Sequence, residues 1–201
     1  MKLGPKFKIA RRLGSGVFEK TQTQKFAASE DRGGAKKGGR RKQRSEYGEQ
    51  LIEKQKIRFT YNITEKQFSN YVKEALLAKG GSSADTLQEL LERRLDNVVF
   101  RMGLAPSRQM SRQMVSHGHF MVNGTRTSVP SYRTKEGDTI SVREGSKKTA
   151  LFNDIAKKLE NSIMPMWLSF DAGKLEGKVK GKPAKENAFL DFGRVLEFYS
   201  R

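Results

Sequence analysis

The sequence predicts an α+β protein. A helical N-terminal domain is joined to two helices followed by a small antiparallel sheet, with a basic, partly disordered arm in front. Three observations predict it. Apolar residues recur every three or four positions from Leu51 to Leu76 and from Leu87 to Met102, the period of helices that bury one face. From Phe120 to Arg143 the period falls to two, and Asn123-Gly124 suits a tight hairpin turn. Between Arg32 and Arg44, seven basic residues and no acidic one stand among glycines, a composition that cannot bury a core.

Residues 1–20 mix Lys2, Lys6, Lys8, Arg11 and Arg12 with Leu3, Phe7, Ile9, Leu13, Val17 and Phe18, the pattern of a short anchored turn or helix. Residues 21–45 turn polar and then basic, and the arm is set at 1–45. Lys36, Lys37, Arg40, Arg41, Lys42 and Arg44 repel one another, so the run is either a solvated linker or a segment that orders against RNA phosphates. Ser45 can cap a helix to about Arg58, with Tyr47, Leu51 and Ile57 inward and Lys54, Lys56 and Arg58 on a basic side. Thr64 and Gln67 have capping-box spacing, and Phe68, Tyr71, Val72, Ala75 and Leu76 form the next stripe, which ends at Gly80-Gly81. At helical spacing, Phe68 and Tyr71 are assigned to the core rather than to base stacking.

Thr86 and Glu89 repeat that spacing ahead of one stripe: Leu87, Leu90, Leu91, Leu95, Val98, Val99 and Met102. Gly103 and Pro106 end it. Ser107 caps a second helix, with Met110, Met114 and Val115 inward, Arg108 and Arg112 on the opposite side, and Gly118 as its stop. Phe120 and Val122 share one strand face, a second strand starts near Thr125, and Thr139 to Arg143 closes the sheet. Phe152, Ile155 and Leu159 suggest one more short helix, Trp167 a core anchor, and Gly173 to Lys185 a Gly/Lys/Pro-rich loop. Phe189 to Arg201 is too apolar for a free tail.

The bulk properties exclude several function classes. A net charge of +18 over 201 residues implies a polyanionic partner. Hydrophobic residues are 35 % and mean hydropathy is −0.72, so the core is modest. There is no cysteine, hence no disulfide or thiolate metal site. No apolar run reaches membrane-spanning length, and a soluble, cytoplasmic protein is expected. His117 and His119 have no obvious third ligand, so neither metal nor cofactor is expected. No G-x-x-x-x-G-K-S/T string occurs, so nucleotide hydrolysis has no support. What remains is nucleic acid. Arg108 and Arg112, followed by His117, Asn123, Arg126 and Arg133, match the phosphate-gripping use of arginine forks. The same spacing also fits a merely solvated helix face.

The run SRQMSRQMVSHGHFMVNG, followed by VPSY and EGDTISVR, resembles the RNA-binding module named after small-subunit ribosomal protein S-four. The flanks resemble that ribosomal family itself: LGPKFKIARR, SEYGEQLIEKQKIRFTYNITEKQFSNYVKEA, RLDNVVFRMG, PMWLSFDAGKLEG and the terminal VLEFYSR. The likeness covers nearly the whole chain outside roughly Thr21 to Gly39. It implies a helical domain of 46–85 closed by 180–201, with 86–179 inserted between and the module core at about 93–145. It further implies a structural, non-enzymatic constituent of the small ribosomal subunit. Such a protein binds a multi-helix junction of small-subunit rRNA, nucleates assembly of the subunit body and influences translational accuracy with ribosomal protein S-five. Other small-subunit proteins are implied as partners. Tyr47, Gly48, Gln50, Glu197, Tyr199 and Arg201 match the family segments near that protein contact. The zinc-binding cysteines of many relatives are missing here. Arg94-Leu95-Asp96 copies a tripeptide that holds the catalytic aspartate of pseudouridine synthases, but Asp96 is read as an ion-pair partner within the module's first helix.

Overall fold

The computed structural model describes residues 3–35, 45–78, 80–149, 151–152, 164–184 and 189–200, with only the helical backbone for 30–35. In chain order the helices are α1 (Lys6–Leu13), α2 (Gln24–Ala35), α3 (Glu46–Thr60), α4 (Glu65–Leu77), α5 (Ser83–Glu92), α6 (Leu95–Arg101) and α7 (Arg108–Ser116). Strands β1 (Phe120–Val122), β2 (Thr125–Thr127) and β3 (Thr139–Val142) follow, then α8 (Glu144–Lys147), β4 (Leu168–Asp171), β5 (Glu176–Val179) and α9 (Phe192–Ser200). The chain divides into two compact units, Met1–Leu87 with Asn187–Arg201, and Gln88–Glu186.

The first unit is helical. Ser45 caps α3 by accepting from the Gly48 N–H at 3.3 Å. Thr64 and Gln67 close a reciprocal capping box on α4, which satisfies backbone donors that a helix start leaves open. Ile57, Phe68, Tyr71, Val72 and Ala75 are buried as expected, but Tyr47 is 53 % and Leu76 45 % exposed. Both lie where the helix face turns outward. Part of the expected arm is ordered: α2 runs from Gln24 to Ala35. Phe26 anchors it in a cluster with Ala10, Leu13, Val17 and Phe18. α9 packs on α3 and α4 and belongs to the same unit.

The second unit carries a five-stranded antiparallel sheet of order β2-β1-β3-β5-β4. Phe120, Val122, Ile140, Val142, Leu168 and Val179 turn inward against Val98, Val99, Met102, Met114, Val115 and Trp167. Two sequence expectations are corrected here. β3 does not close the sheet, because β5 pairs with it and β4 with β5. The stretch read as a Gly/Lys/Pro-rich loop therefore holds a strand. Its Gly177 sits where a Cβ would come within 2.7 Å of Met102 Cε, so a residue that looks like loop punctuation is packing against the core.

The stripe from Leu87 to Met102 is also two helices rather than one. At the break Arg94 is extended and bridges Arg133, while Leu95 N–H donates to the Tyr132 carbonyl at 2.8 Å. Tertiary hydrogen bonds replace the intrahelical ones there. At its other end α5 starts at Ser83, so Thr86 lies inside it, bonded to the Ser82 carbonyl, instead of capping its start. Gly103 and Gly118, at φ 76° and 72°, supply the left-handed stops that end α6 and α7. Ile155 and Leu159, from the expected short helix, lie outside the described residues, whereas Phe152 is buried.

Candidate nucleic-acid interface

The junction of α6 and α7 is built around one buried ion pair. Arg94 is fully buried (0 % exposed) and grips Asp96 with Nε at 3.0 Å and a terminal nitrogen at 2.6 Å. A buried charge requires such a paired partner, and this confirms Asp96 as an ion-pair residue. The Ser111 hydroxyl donates to the Asp96 carbonyl, tying α7 to α6. Glu92 accepts from Asn97 and from Arg101, at 2.5 and 2.8 Å.

On this base sit Arg108 and Arg112, both half-buried. The Arg108 Nε donates to Asn97 at 2.8 Å, and its guanidinium lies 4.4 Å from the Phe100 ring centre. Arg112 reaches within 3.7 Å of Asp96. These arginines thus face α6 as well as outward.

At the far end of α7, His117 is exposed and His119 half-buried. Arg126 and Arg133 are exposed, as are Lys135 and Arg143. Asn123 has both ends of its amide in use: Nδ2 donates to Asp138 at 2.8 Å and Oδ1 accepts from Thr139 N–H at 2.9 Å. With φ at 49° it shapes the hairpin turn, and it stays exposed beside Arg126 on β2. Sequence reasoning weighed His119 only as a metal ligand and placed Arg143 only at the end of a strand. The repeated histidine in HGH was the available signal; Arg143 had none beyond its charge.

In the first unit the α3 cations are taken. Lys54 is 8 % exposed, 2.8 Å from Glu65 and 4.5 Å from the Phe198 ring centre. Arg58 also meets Glu65, at 3.3 Å, and Lys56 meets Glu53 at 2.5 Å. Lys54 therefore does not stand on the open basic side expected of it. Burial alone would raise the Glu65 carboxyl. Hydrogen bonds from Lys54 and Tyr199, with the charges of Lys54 and Arg58, outweigh that and hold it below its ordinary value. Burial and the bond to Glu65 push the Tyr199 phenol up. Lys8, Arg11 and Arg12 of α1 are exposed, while Lys6 is half-buried over the Phe18 ring.

Residues expected at a protein contact come together from both ends of the chain. Tyr47 packs on Phe198 with ring centres 5.4 Å apart, and Gln50 donates to Glu197 at 3.2 Å. Gly48 lies in the same first turn of α3. Gln50 is buried and Tyr199 donates to Glu65 at 2.7 Å, which leaves Tyr47 and Glu197 as the exposed members. Lys2, Lys36, Lys37, Arg40, Arg41, Lys42, Arg44 and Arg201 lie outside the described residues. Among the described residues no cluster of three or more metal-ligating side chains occurs, and no helix is long and apolar enough to cross a membrane.

Family matches reach into both units. Residues 2–92 match the family described as Ribosomal protein S4/S9 N-terminal domain, and residues 93–140 match the S4 domain. Fold and site thus define a protein organised around an S4 RNA-binding domain. Full-length relatives narrow this further. The chain is 44 % identical to the small ribosomal subunit protein uS4 of Levilactobacillus brevis, covering 98 % of both chains. It is 43 % identical to that of Chromobacterium violaceum over 99 % of this chain and 98 % of the relative. The Streptococcus thermophilus protein is 45 % identical over 98 % and 97 %. The chain belongs to the small ribosomal subunit protein uS4 family. It is a structural ribosomal protein rather than an enzyme.

Proposed function

We propose that this protein binds a multi-helix junction of small-subunit rRNA in cytoplasmic ribosomes and nucleates assembly of the subunit body. The observation that carries this reading is the likeness, at 43–45 % identity over nearly the whole chain, to small ribosomal subunit proteins uS4. The geometry supplies a mechanism. Exposed Arg126, Arg133, Lys8, Arg11 and Arg12 neutralise phosphates where rRNA helices converge, and each contact releases counterions. Within the second unit, Arg108, Arg112 and His117 add to Arg126 and Arg133. The basic run from Lys36 to Arg44 adds charge on the N-terminal side.

Because the groove of duplex RNA that holds most base information is deep and narrow, recognition is of shape and backbone. The folded module, pinned by Arg94 and Asp96, holds its cations at set spacings and thereby sets the angle between the helices it touches. Tyr47 and Glu197, brought together on α3 and α9, form a contact for a neighbouring small-subunit protein. Ribosomal protein S-five is the proposed partner, and through it the protein influences decoding accuracy.

Competition binding tests the reading. Labelled small-subunit junction rRNA is challenged with an equal mass of unrelated structured RNA at near-physiological salt. Poor competition by the unrelated RNA is expected. Equal competition would reduce the protein to a generic polyanion binder.

A further inference from the structure

The last turn of α7, the β1–β2 hairpin and the start of α8 crowd several cationic groups onto one end of the module. The rings of His117 and His119 lie 6.0 Å apart. Arg126 reaches over from β2 and donates to the His117 carbonyl at 3.4 Å. It fits there because residue 118 is glycine: a Cβ would stand 2.5 Å from Arg126 Nε. Arg143 follows β3 with its backbone N–H on the His119 carbonyl, at 2.9 Å. His119 Nδ1 lies 3.0 Å from the Ser146 hydroxyl of α8, and Phe152 meets the ring edge-on.

The neighbours whose charges act on His119 are His117, Arg143 and Arg126, and no carboxylate is among them. α8 contributes Glu144 and Lys147, which pair with each other at 2.5 Å. Burial first, and then those neighbours, hold His119 below its ordinary value, so it is neutral at neutral pH. Cations gathered in this way repel one another until an anion joins them.

We infer that His117, His119, Arg126 and Arg143 form a phosphate-binding site on the module, whose grip on RNA tightens when His119 takes up a proton. The inference rests on the rRNA-binding reading and adds a regulation to it. Binding linkage is reciprocal: a phosphate that favours the protonated imidazole is bound more tightly by it. Affinity therefore rises as pH falls through the ordinary histidine range. The Ser146 hydroxyl can donate to a neutral Nδ1 or accept from a protonated one, so the ring keeps its place while its charge changes.

The test measures binding of a labelled small-subunit rRNA fragment to the full chain at fixed ionic strength, from about pH 7.5 to about pH 5.5, across the histidine range. Wild-type affinity is expected to rise about tenfold, the equivalent of one unit of pKa change on binding. His119→Gln is expected to shrink the rise. Arg143→Gln is expected to weaken binding at both ends of the range. NMR titration of His119 in the unsubstituted protein reads the same coupling, with its midpoint moving up in the RNA complex. An equal rise in His119→Gln, or an unmoved midpoint, overturns the inference and leaves RNA binding standing. Absence of binding at every pH overturns both.

Discussion

The cations of α3 and those at the end of α7 carry the same formal charge and do different work. Lys54, Lys56 and Arg58 lie within 4 Å of Glu65 or Glu53. Lys54 and Arg58 tie α3 to α4 through Glu65, Lys54 also meets the α9 rings of Phe198 and Tyr199, and Lys56 pairs within α3. Arg126 instead donates to a backbone carbonyl and remains exposed. A lysine neutralised by a buried or half-buried carboxylate has little charge left for a polyanion, whereas an exposed guanidinium keeps its full attraction. Net charge alone therefore overstates the surface available to RNA, and the position of the carboxylates decides which cations remain on it.

The largest effect expected is on the platform beneath this contrast. Asp96→Ala strands a buried guanidinium and should destabilise the protein by about 3–5 kcal/mol, read by chemical denaturation. A loss no larger than that of a surface substitution would mean that Arg94 finds another partner or reaches water. Next comes the contrast itself. Arg126→Gln should make the salt dependence of rRNA binding shallower by roughly 0.7–0.9, one phosphate contact. Lys54→Gln should leave that slope unchanged and cost about 1 kcal/mol of stability, because its partner Glu65 stays half-exposed. If Lys54→Gln flattened the slope as much as Arg126→Gln, the two classes of cation would not be distinct.

The smallest effect is a pH dependence of stability. His119 is held below its ordinary value in the folded chain, so the unfolded chain binds more protons as pH falls through the ordinary histidine range. Stability contributed above that range should be lost progressively below it, and His119→Gln should remove that part of the loss. Glu65 acts at lower pH: its carboxyl is held below 4.5, so its contribution is present above 4.5 and fades as pH falls beneath. Thermal melts at a series of pH values separate the two windows.

Much of the fold was legible because the signals were local. Ser45, Thr64 and Ser107 cap helices through contacts three residues away, and Asn123-Gly124 turns the hairpin by its own backbone. The candidate site was less legible. Its basic residues could be named, yet Asn123 proved to be fastened at both ends, and Lys54 was drawn under Phe198 and beside Glu65. His119 and Arg143 entered the site only when β1 and β3 paired side by side.

By itself, the sequence determined the helix periods, the caps and turns, the excess of positive charge and the absence of thiol chemistry. Each depends on residue type or on neighbours within a few positions. Tertiary structure alone decided that Arg94 would break one apolar stripe into two helices, that β4 and β5 would extend the sheet beyond β3, and which cations stay open to a ligand. Those outcomes turn on hydrogen-bond and ion-pair partners, most of them tens of residues away along the chain, and no local pattern encodes such a pairing.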